Sequence, residues 1–337
     1  MPAPPLVSIL MPVRNEARYL QAALSSLFRQ TLPQWELIAI DDGSTDATPE
    51  ILAEAASADP RVRVLRLPGN GLVTALNAGL EVCRATLVAR MDGDDICHPQ
   101  RLARQIAFLD AHPDVGLVAC GFRHFPRSTL KQGMIGYETW QNGLADHDLI
   151  MRDRFVESPF VHPSVMIRRS LLVQAGGYRA SGWAEDYDLW LRLAEMGTRF
   201  ARLHLPLFFW RDHPERATRT LDDYSVSAFR SCKAHYLLRS YLSGSDSVII
   251  AGAGLEGRAW QRLLEMHGVR TSCWLDVDPR KVGRTLHGAP VVSPHDMPRT
   301  NGLRMIVAIG VRGAREQFRA LGATLGLREG LDFVCVA

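Results

Sequence analysis

The sequence predicts an α/β protein: a mostly parallel sheet covered by helices, followed by a smaller second α/β module. Three observations carry that prediction. Short apolar runs alternate with helical patterns over the first hundred or so residues. Acidic, glycine-containing turns follow two of those runs. A fresh strand–glycine–helix pattern begins after residue 246.

The elements follow in order. Leu6–Met11 is a first apolar run, and Leu20, Leu24, Leu27 and Phe28 then repeat at helical spacing. Glu36–Asp41 reads as a second strand ended by Asp41-Asp42-Gly43-Ser44. Asp46 is placed to cap the next helix, with Pro49 and Glu50 in its first turn. Arg61–Leu67 reads as a third strand, Leu72–Cys83 as a helix and Thr86–Met91 as a fourth strand. Pro99 opens a helix with Leu102, Ile106 and Leu109 on one face. Phe122–Pro159 is less regular and reads as long loops with short helices. A helix starts at Glu185, with Leu189, Trp190, Leu193 and Met196 as its apolar stripe, and Leu221–Leu242 reads as another. Ser243-Gly244-Ser245-Asp246 is the clearest linker, dividing 1–243 from 244–337. Beyond it, Val248–Ala251 reads as a strand, Ala259–His267 as a helix, and Thr271–Leu275 and Met305–Ile309 as strands.

Composition narrows the function classes. With 337 residues, 47% hydrophobic and 22% charged, the chain has apolar material for an ordinary globular core and a length that suggests two domains. A net charge of +3 is too small for a polyanion-binding surface, so no nucleic-acid partner is expected. The six cysteines form no Cys-x-x-Cys pair and no zinc spacing, and read as reduced thiols of a cytoplasmic protein. The N-terminus lacks the pattern of a signal peptide, and no apolar stretch is long enough to span a bilayer. Membrane contact would therefore be peripheral, at the inner face of the cell membrane. Arg230, Lys233 and Arg239 beside Tyr236, Leu237 and Leu238 offer an interfacial face, against the alternative of a packed inter-domain helix.

The chemistry concentrates at Asp92-Gly93-Asp94-Asp95, after the fourth strand. Alone, such a triplet is a common solvated turn whose Asp caps the next helix. At the carboxyl end of a buried parallel strand it is also where ligands bind. Mg²⁺ and Mn²⁺ are commonly shared between one or two carboxylates and substrate phosphates.

Ordered motifs then carry a resemblance. Val7-Ser8-Ile9-Leu10-Met11-Pro12-Val13-Arg14-Asn15-Glu16, Asp41-Asp42-Gly43-Ser44-Thr45-Asp46, Asn77-Ala78-Gly79-Leu80 and Arg90-Met91-Asp92-Gly93-Asp94-Asp95, with Pro99 and Arg101-Leu102 downstream, resemble a family 2 glycosyltransferase of the GT-A fold. His162-Pro163-Ser164-Val165-Met166, Gly176-Gly177-Tyr178 and Glu185-Asp186-Tyr187-Asp188-Leu189-Trp190-Leu191-Arg192 keep the same order, so the likeness covers roughly residues 5–215. It implies inverting transfer of a sugar from a nucleotide diphosphate donor, UDP-linked by family frequency, to a hydroxyl of a glycan or lipid-linked acceptor in cell-surface glycan synthesis.

By that resemblance Pro12, Arg14 and Glu16 line the nucleotide pocket, and Asp42 contacts uracil or ribose. Asp92 and Asp94 contact the metal and ribose-phosphate, Asp94 being the better ligand of Mn²⁺ or Mg²⁺, while Asp95 orients the loop or caps the helix. Asp186 is the base, and Glu185 shapes the acceptor site. Inversion needs such a base opposite the leaving group. Both acids also suit a helix N-terminus. His213, after Arg211, completes the metal shell or is a packing residue. His162 is an acceptor or structural contact, and Trp140 with Asn142 a sugar platform or core.

In the second module, Gly252-x-Gly254-x-x-Gly257 with Asp276 has the context of a dinucleotide fingerprint. The stretch Leu275–Pro279, with Lys281-Val282-Gly283-Arg284 and His287–Val291, resembles Rossmann-like domains attached to sugar acyltransferases. Docking or dimerisation (a homodimer among the outcomes), nucleotide or nucleotide-sugar binding, and NAD redox chemistry all stay open there. The alternatives for the whole chain are a non-catalytic nucleotide-sugar sensor and an NAD-dependent oxidoreductase acting through these glycines.

Overall fold

The computed structural model describes residues 4–297 and 302–337. Two compact units are present, one of residues 1–150 and 159–221, the other of 151–158 and 222–337.

In the first unit the elements are β1 (Val7–Val13), α1 (Ala17–Phe28), β2 (Trp35–Asp42), α2 (Thr48–Ala58), β3 (Val62–Leu67), α3 (Leu72–Val82), β4 (Leu87–Arg90), β5 (Ile96–Cys97), α4 (Arg101–Ala111), β6 (Val115–Phe125), α5 (Gln132–Asn142), α6 (His147–Asp153, running into the second unit's segment), β7 (Val165–Arg168), α7 (Arg169–Gln174), α8 (Glu185–Glu195), β8 (Arg199–Arg211) and the short α9 (Ala217–Thr220). They build an eight-stranded sheet in the order β3-β2-β1-β4-β7-β6-β8-β5. Strands β1 to β4 pair parallel with one another, and β7 pairs antiparallel with both β4 and β6. Every residue of β1 and β2 is buried, as expected for parallel strands covered on both faces. One core gathers Ile9, Met11, Leu20, Leu24, Leu27, Leu37, Leu52, Leu102 and Leu109 between the sheet and helices α1, α2 and α4. On α3, a Cβ at Gly79 would meet Leu10 and Ile40 side-chain atoms at 2.4 and 2.5 Å, so the glycine lets this helix lie close on β1 and β2.

Because β1 sits between β2 and β4, the chain reverses direction of growth there. Such a switch opens a crevice at the strands' carboxyl ends. Residues 14–16 and 91–95 leave the sheet at that point.

The second unit carries α10 (Val226–Arg239), β9 (Ser247–Ala251), α11 (Leu255–Met266), β10 (Arg270–Leu275), β11 (Thr285–Leu286), β12 (Ala289–Val292), β13 (Arg304–Val307), α12 (Ala314–Thr324) and β14 (Phe333–Cys335). Its sheet has the order β11-β12-β10-β9-β13-β14 and is parallel except for β11. Segment 151–158 is tied into this unit: Lys233 Nζ donates to the Val156 carbonyl at 2.6 Å and to that of Val336 at 3.2 Å, and Arg319 pairs with Asp153.

Several sequence expectations change. The region expected to be irregular from Phe122 begins inside β6, which runs on to Phe125, and contains α5 and α6. The thirteen-residue β8 was not expected: Pro206 argues against a continuous strand, and the pairing with β6 shifts register around Gly121. Met196 caps α8 and is 44% exposed, so it leaves the apolar stripe. Helix α11 starts at Leu255, four residues earlier than expected, directly on the glycine turn. Lys233 is buried and Arg230 pairs with Glu256, so these residues form no free interfacial face. All six cysteines are buried and none forms a disulfide. Among the described residues no helix is long and apolar enough to cross a membrane.

Candidate functional site

The crevice is built from five chain segments, at the ends of β1, β2, β4 and β8 and the start of α8. Asp46 shapes its entrance: one carboxylate oxygen accepts from the Ala17 N–H and the other from the Thr48 N–H, both at 3.0 Å, so a single residue orders the starts of α1 and α2. Pro12 is buried in β1, Arg14 is exposed just beyond it, and Glu16 is half-buried at the start of α1. Asp42 is buried, and its two oxygens accept backbone N–H groups of Asn70 and Gly71 at 2.9 and 2.8 Å. It thereby fixes the loop that enters α3.

The acidic turn after β4 is the electrostatic centre. Ligand oxygens of Asp92, Asp94 and Asp95 lie within 4.8 Å of one another. Asp92 is partly exposed, while Asp94 and Asp95 are buried. Asp95 Oδ1 accepts the Arg211 N–H at 2.6 Å, whereas Oδ2 is buried with no hydrogen-bond partner. Burial, then the Asp94 and Asp92 charges, push Asp95 well above the usual carboxylate range. The same two neighbours act on Glu16: burial first, then Asp94 and Asp92, raise it to about 8. Concentrated carboxylates with an orphaned buried oxygen suit a hard divalent cation. Asp92, Asp94 and Asp95 therefore fit a metal site, with His213 Nε2 2.8 Å from Asp94 Oδ2.

The end of β8 supplies that histidine and a cation. Arg211 donates from Nε to the Asp94 carbonyl at 2.6 Å, and its guanidinium lies 4.5 Å from the ring centres of both Tyr19 and Phe125. His213 also stands beside Tyr19, with ring centres 5.0 Å apart.

The opposite wall is the first turn of α8. Asp186 and Glu185 are both buried. Burial and the Glu185 charge raise Asp186 well above the ordinary range, although the Tyr187 N–H donates to its Oδ1 at 2.6 Å. Asp188 is committed elsewhere, to Arg192 at 2.7 Å and the Trp183 indole at 3.0 Å.

Between the walls lies Arg90, which sequence reasoning noted only as a motif member. Its buried guanidinium donates to Asp92 Oδ1 at 2.6 Å and to the Met91 carbonyl. Its charge also acts on Asp186 and His162. Arg101 too was noted only as a motif member. Fully buried, it donates to the Arg90 and Val165 carbonyls at 2.9 and 3.2 Å and so holds the end of β4 against β7. A charged residue inside the apolar run Leu87–Met91 was the available signal for Arg90; Arg101, in the polar stretch Pro99-Gln100-Arg101-Leu102-Ala103-Arg104, had none.

The structure thus gathers Glu16, Asp92, Asp94, Asp95, Arg211 and His213 around one acidic turn, with Glu185 and Asp186 linked to it through Arg90. Gly252, Gly254, Gly257 and Asp276 belong to the second unit. There Asp276 Oδ2 accepts from Ala253 N–H at 3.0 Å and Lys281 Nζ at 2.8 Å, and Oδ1 from Asp278 N–H at 2.9 Å. Trp140 is half-buried beside Tyr137, and Asn142 exchanges two hydrogen bonds with the Phe122 backbone.

Comparison with known proteins agrees with this geometry. Residues 8–175 match the family model of glycosyl transferase family 2. The amylovoran biosynthesis glycosyltransferase AmsE of Erwinia amylovora is 34% identical over 204 residues, 59% of this chain and 73% of AmsE. The O-antigen biosynthesis glycosyltransferase WbnJ of Escherichia coli is 28% identical over 240 residues, 70% of this chain and 89% of WbnJ. Among solved structures, S. aureus TarS in complex with UDP-GlcNAc superposes with a TM-score of 0.56 at 19% identity, over 77% of this chain and 72% of that one. The first unit therefore has the GT-A type of fold, with a curled, mostly parallel sheet. Family model and relatives converge on one conclusion: this chain is a glycosyltransferase and belongs to glycosyl transferase family 2.

Proposed function

We propose that the chain transfers a sugar from a nucleoside diphosphate donor, UDP-linked, to a hydroxyl of a surface-glycan acceptor, with inversion and with a divalent cation. The observation that carries this reading is the facing of two acidic groups of different character. One, at Asp92-Gly93-Asp94-Asp95, is a tight cluster with an orphaned oxygen; the other, at Glu185-Asp186, is a buried pair at a helix start. The polysaccharide role leans on the biosynthetic roles of AmsE and WbnJ, and the UDP preference on the ligand of TarS.

Each part of the reaction has a residue. Pro12, Arg14, Glu16 and the loop held by Asp42 receive the nucleoside. Asp92, Asp94 and Asp95 would hold Mn²⁺ or Mg²⁺, with His213 beside Asp94. When bound, the cation supplies Lewis-acid neutralisation of the departing diphosphate. Arg211, held between two aromatic rings, adds a fixed positive charge on the same side. Asp186 takes the proton of the attacking hydroxyl. Its raised proton affinity suits that task, because a base works best when its pKa approaches the operating pH. Arg90 keeps the two acidic groups from repelling each other apart.

A donor screen tests the reading. Thermal shift against UDP-, GDP- and dTDP-sugars, with and without Mn²⁺, should single out UDP-sugars and only with the cation present. Equal stabilisation by all donors without metal would remove both the nucleotide preference and the metal role. The second unit has no free carboxylate at the fingerprint position, since Asp276 is already bonded to Lys281 and two backbone N–H groups. The oxidoreductase alternative has no further support.

A further inference from the structure

His162 belongs to no part of the reaction as described, yet it is buried next to the proposed base. It opens the short turn before β7. Its Nε2 lies 3.1 Å from the Tyr178 hydroxyl and its Nδ1 lies 3.3 Å from Glu185 Oε1. Tyr178 is itself held rigidly. Its N–H donates to Asn77 Oδ1 at 2.9 Å, and its carbonyl accepts from Asn77 Nδ2 at 3.0 Å. Gly177 before it sits at φ +67°, where a Cβ would meet Asn77 Oδ1 at 2.5 Å. Trp190 of α8 meets the imidazole edge-on, with ring centres 5.6 Å apart.

These contacts fix the imidazole's tautomer. Burial, then the Arg90 charge, keep the ring neutral, so it carries one N–H. An ionised carboxylate can only accept, so the hydrogen belongs on Nδ1, facing Glu185. Nε2 is then the acceptor for the Tyr178 O–H.

We propose that His162 is a positioning residue for sugar transfer: locked by Tyr178, it donates to Glu185 and so fixes the start of α8 and the aim of Asp186. The proposal rests on reading Asp186 as the base. It has a consequence for proton affinity that simple packing would lack. The groups facing the Glu185–Asp186 pair are Arg90 and Asp92 from the end of β4, His162 from the turn before β7, and Tyr178 from the loop after α7. After burial, the Glu185 charge is what raises Asp186, and a hydrogen bond donated by His162 favours that charge. Removing the donor weakens the charge and should lower the proton affinity of Asp186. The acid limb of kcat should therefore move to lower pH while the plateau falls.

The test compares two near-isosteres. In His162→Asn the amide reaches the Nδ1 position; in His162→Gln it reaches that of Nε2. Turnover is read as nucleoside diphosphate release from UDP-GlcNAc, UDP-galactose and GDP-mannose with Mn²⁺. The glutamine variant should lose about tenfold in kcat, with donor KM within about twofold and the acid limb about one pH unit lower. The asparagine variant should recover most of the loss. Equal kcat and equal pH profiles in the two variants, or a change confined to melting temperature, would overturn the proposal. NMR of isotope-labelled histidine in the full-length chain tests it without turnover: Nδ1 should carry the hydrogen and Nε2 should be bare, and the opposite tautomer refutes the contact. Asp186→Asn in the same series separates the two ideas. Its near-normal turnover would remove the base, while the tautomer would still judge the link to Glu185.

Discussion

The two units use the same device in opposite ways. Each has a run of parallel strands whose order reverses beside its first strand, at β1 and β4 in one unit and at β9 and β13 in the other. Each reversal opens a crevice at carboxyl strand ends. In the first unit the crevice is left electrostatically unbalanced. Glu16, Asp95 and Asp186 are all raised, chiefly by burial and then by neighbouring carboxylates. In the second the local charge is settled. Burial works to raise Asp276, but Lys281 and the N–H groups of Asp278 and Ala253 pull it below its ordinary range. A shared crossover provides a place; unsatisfied charge provides chemistry.

The largest expected contrast is between Asp186 and Asp276. Asp186→Asn should lower turnover by about 10²–10⁴-fold while donor binding survives in a thermal-shift assay. Asp276→Asn should leave turnover within about twofold. If both variants lose activity equally, the division of labour between the units fails. Next is the cation. EDTA should reduce turnover by about a hundredfold or more, reversed by Mn²⁺ or Mg²⁺, and Asp94→Ala should show the same loss without reversal. Full activity in excess chelator would break the contrast from the other side.

A smaller effect concerns how the second crevice is packed. A Cβ at Gly257 would lie 1.8 Å from the Gly252 carbonyl oxygen, whereas a Cβ at Gly254 meets nothing within 4 Å. Gly257→Ala should destabilise that unit by about 3 kcal/mol in urea unfolding, and Gly254→Ala by less than about 0.5 kcal/mol. Similar values for both would mean that α11 does not pack as closely as described.

The smallest effect is in the pH dependence of the metal-free protein. Glu16 is raised from 4.5 to about 8 in the folded state. Between those values the folded chain binds more protons than the unfolded one, so stability falls as pH rises through that window. Glu16→Gln should flatten the fall, read as a smaller drop in melting temperature between pH 5 and pH 8. An unchanged slope would mean that Glu16 is not part of the unbalanced crevice.

Much of the fold was legible because its signals are local. Apolar runs buried on both faces mark β1, β2 and β4, and Asp46 marks helix starts by its position before Thr48 and Pro49. β8 was not legible. Its regularity is imposed by pairing with β6 across a register shift, which no window of sequence contains. Within the site, the acidic turn could be found from its place after a strand. Arg101 and His162 could not be given their tasks, because their partners, Val165 for Arg101 and Glu185 for His162, are 64 and 23 residues away in the chain.

The sequence by itself determined the run of parallel strands and the carboxylates at their ends, since periodicity and turn chemistry act over a few residues, and its ordered motifs carried the resemblance to a glycosyltransferase family. Only the tertiary structure decided which charges face one another. Asp94 meets His213 across 119 residues, and Asp186 comes within the field of Arg90. Proton affinity depends on burial and distance, and both are properties of the folded chain rather than of any stretch of it.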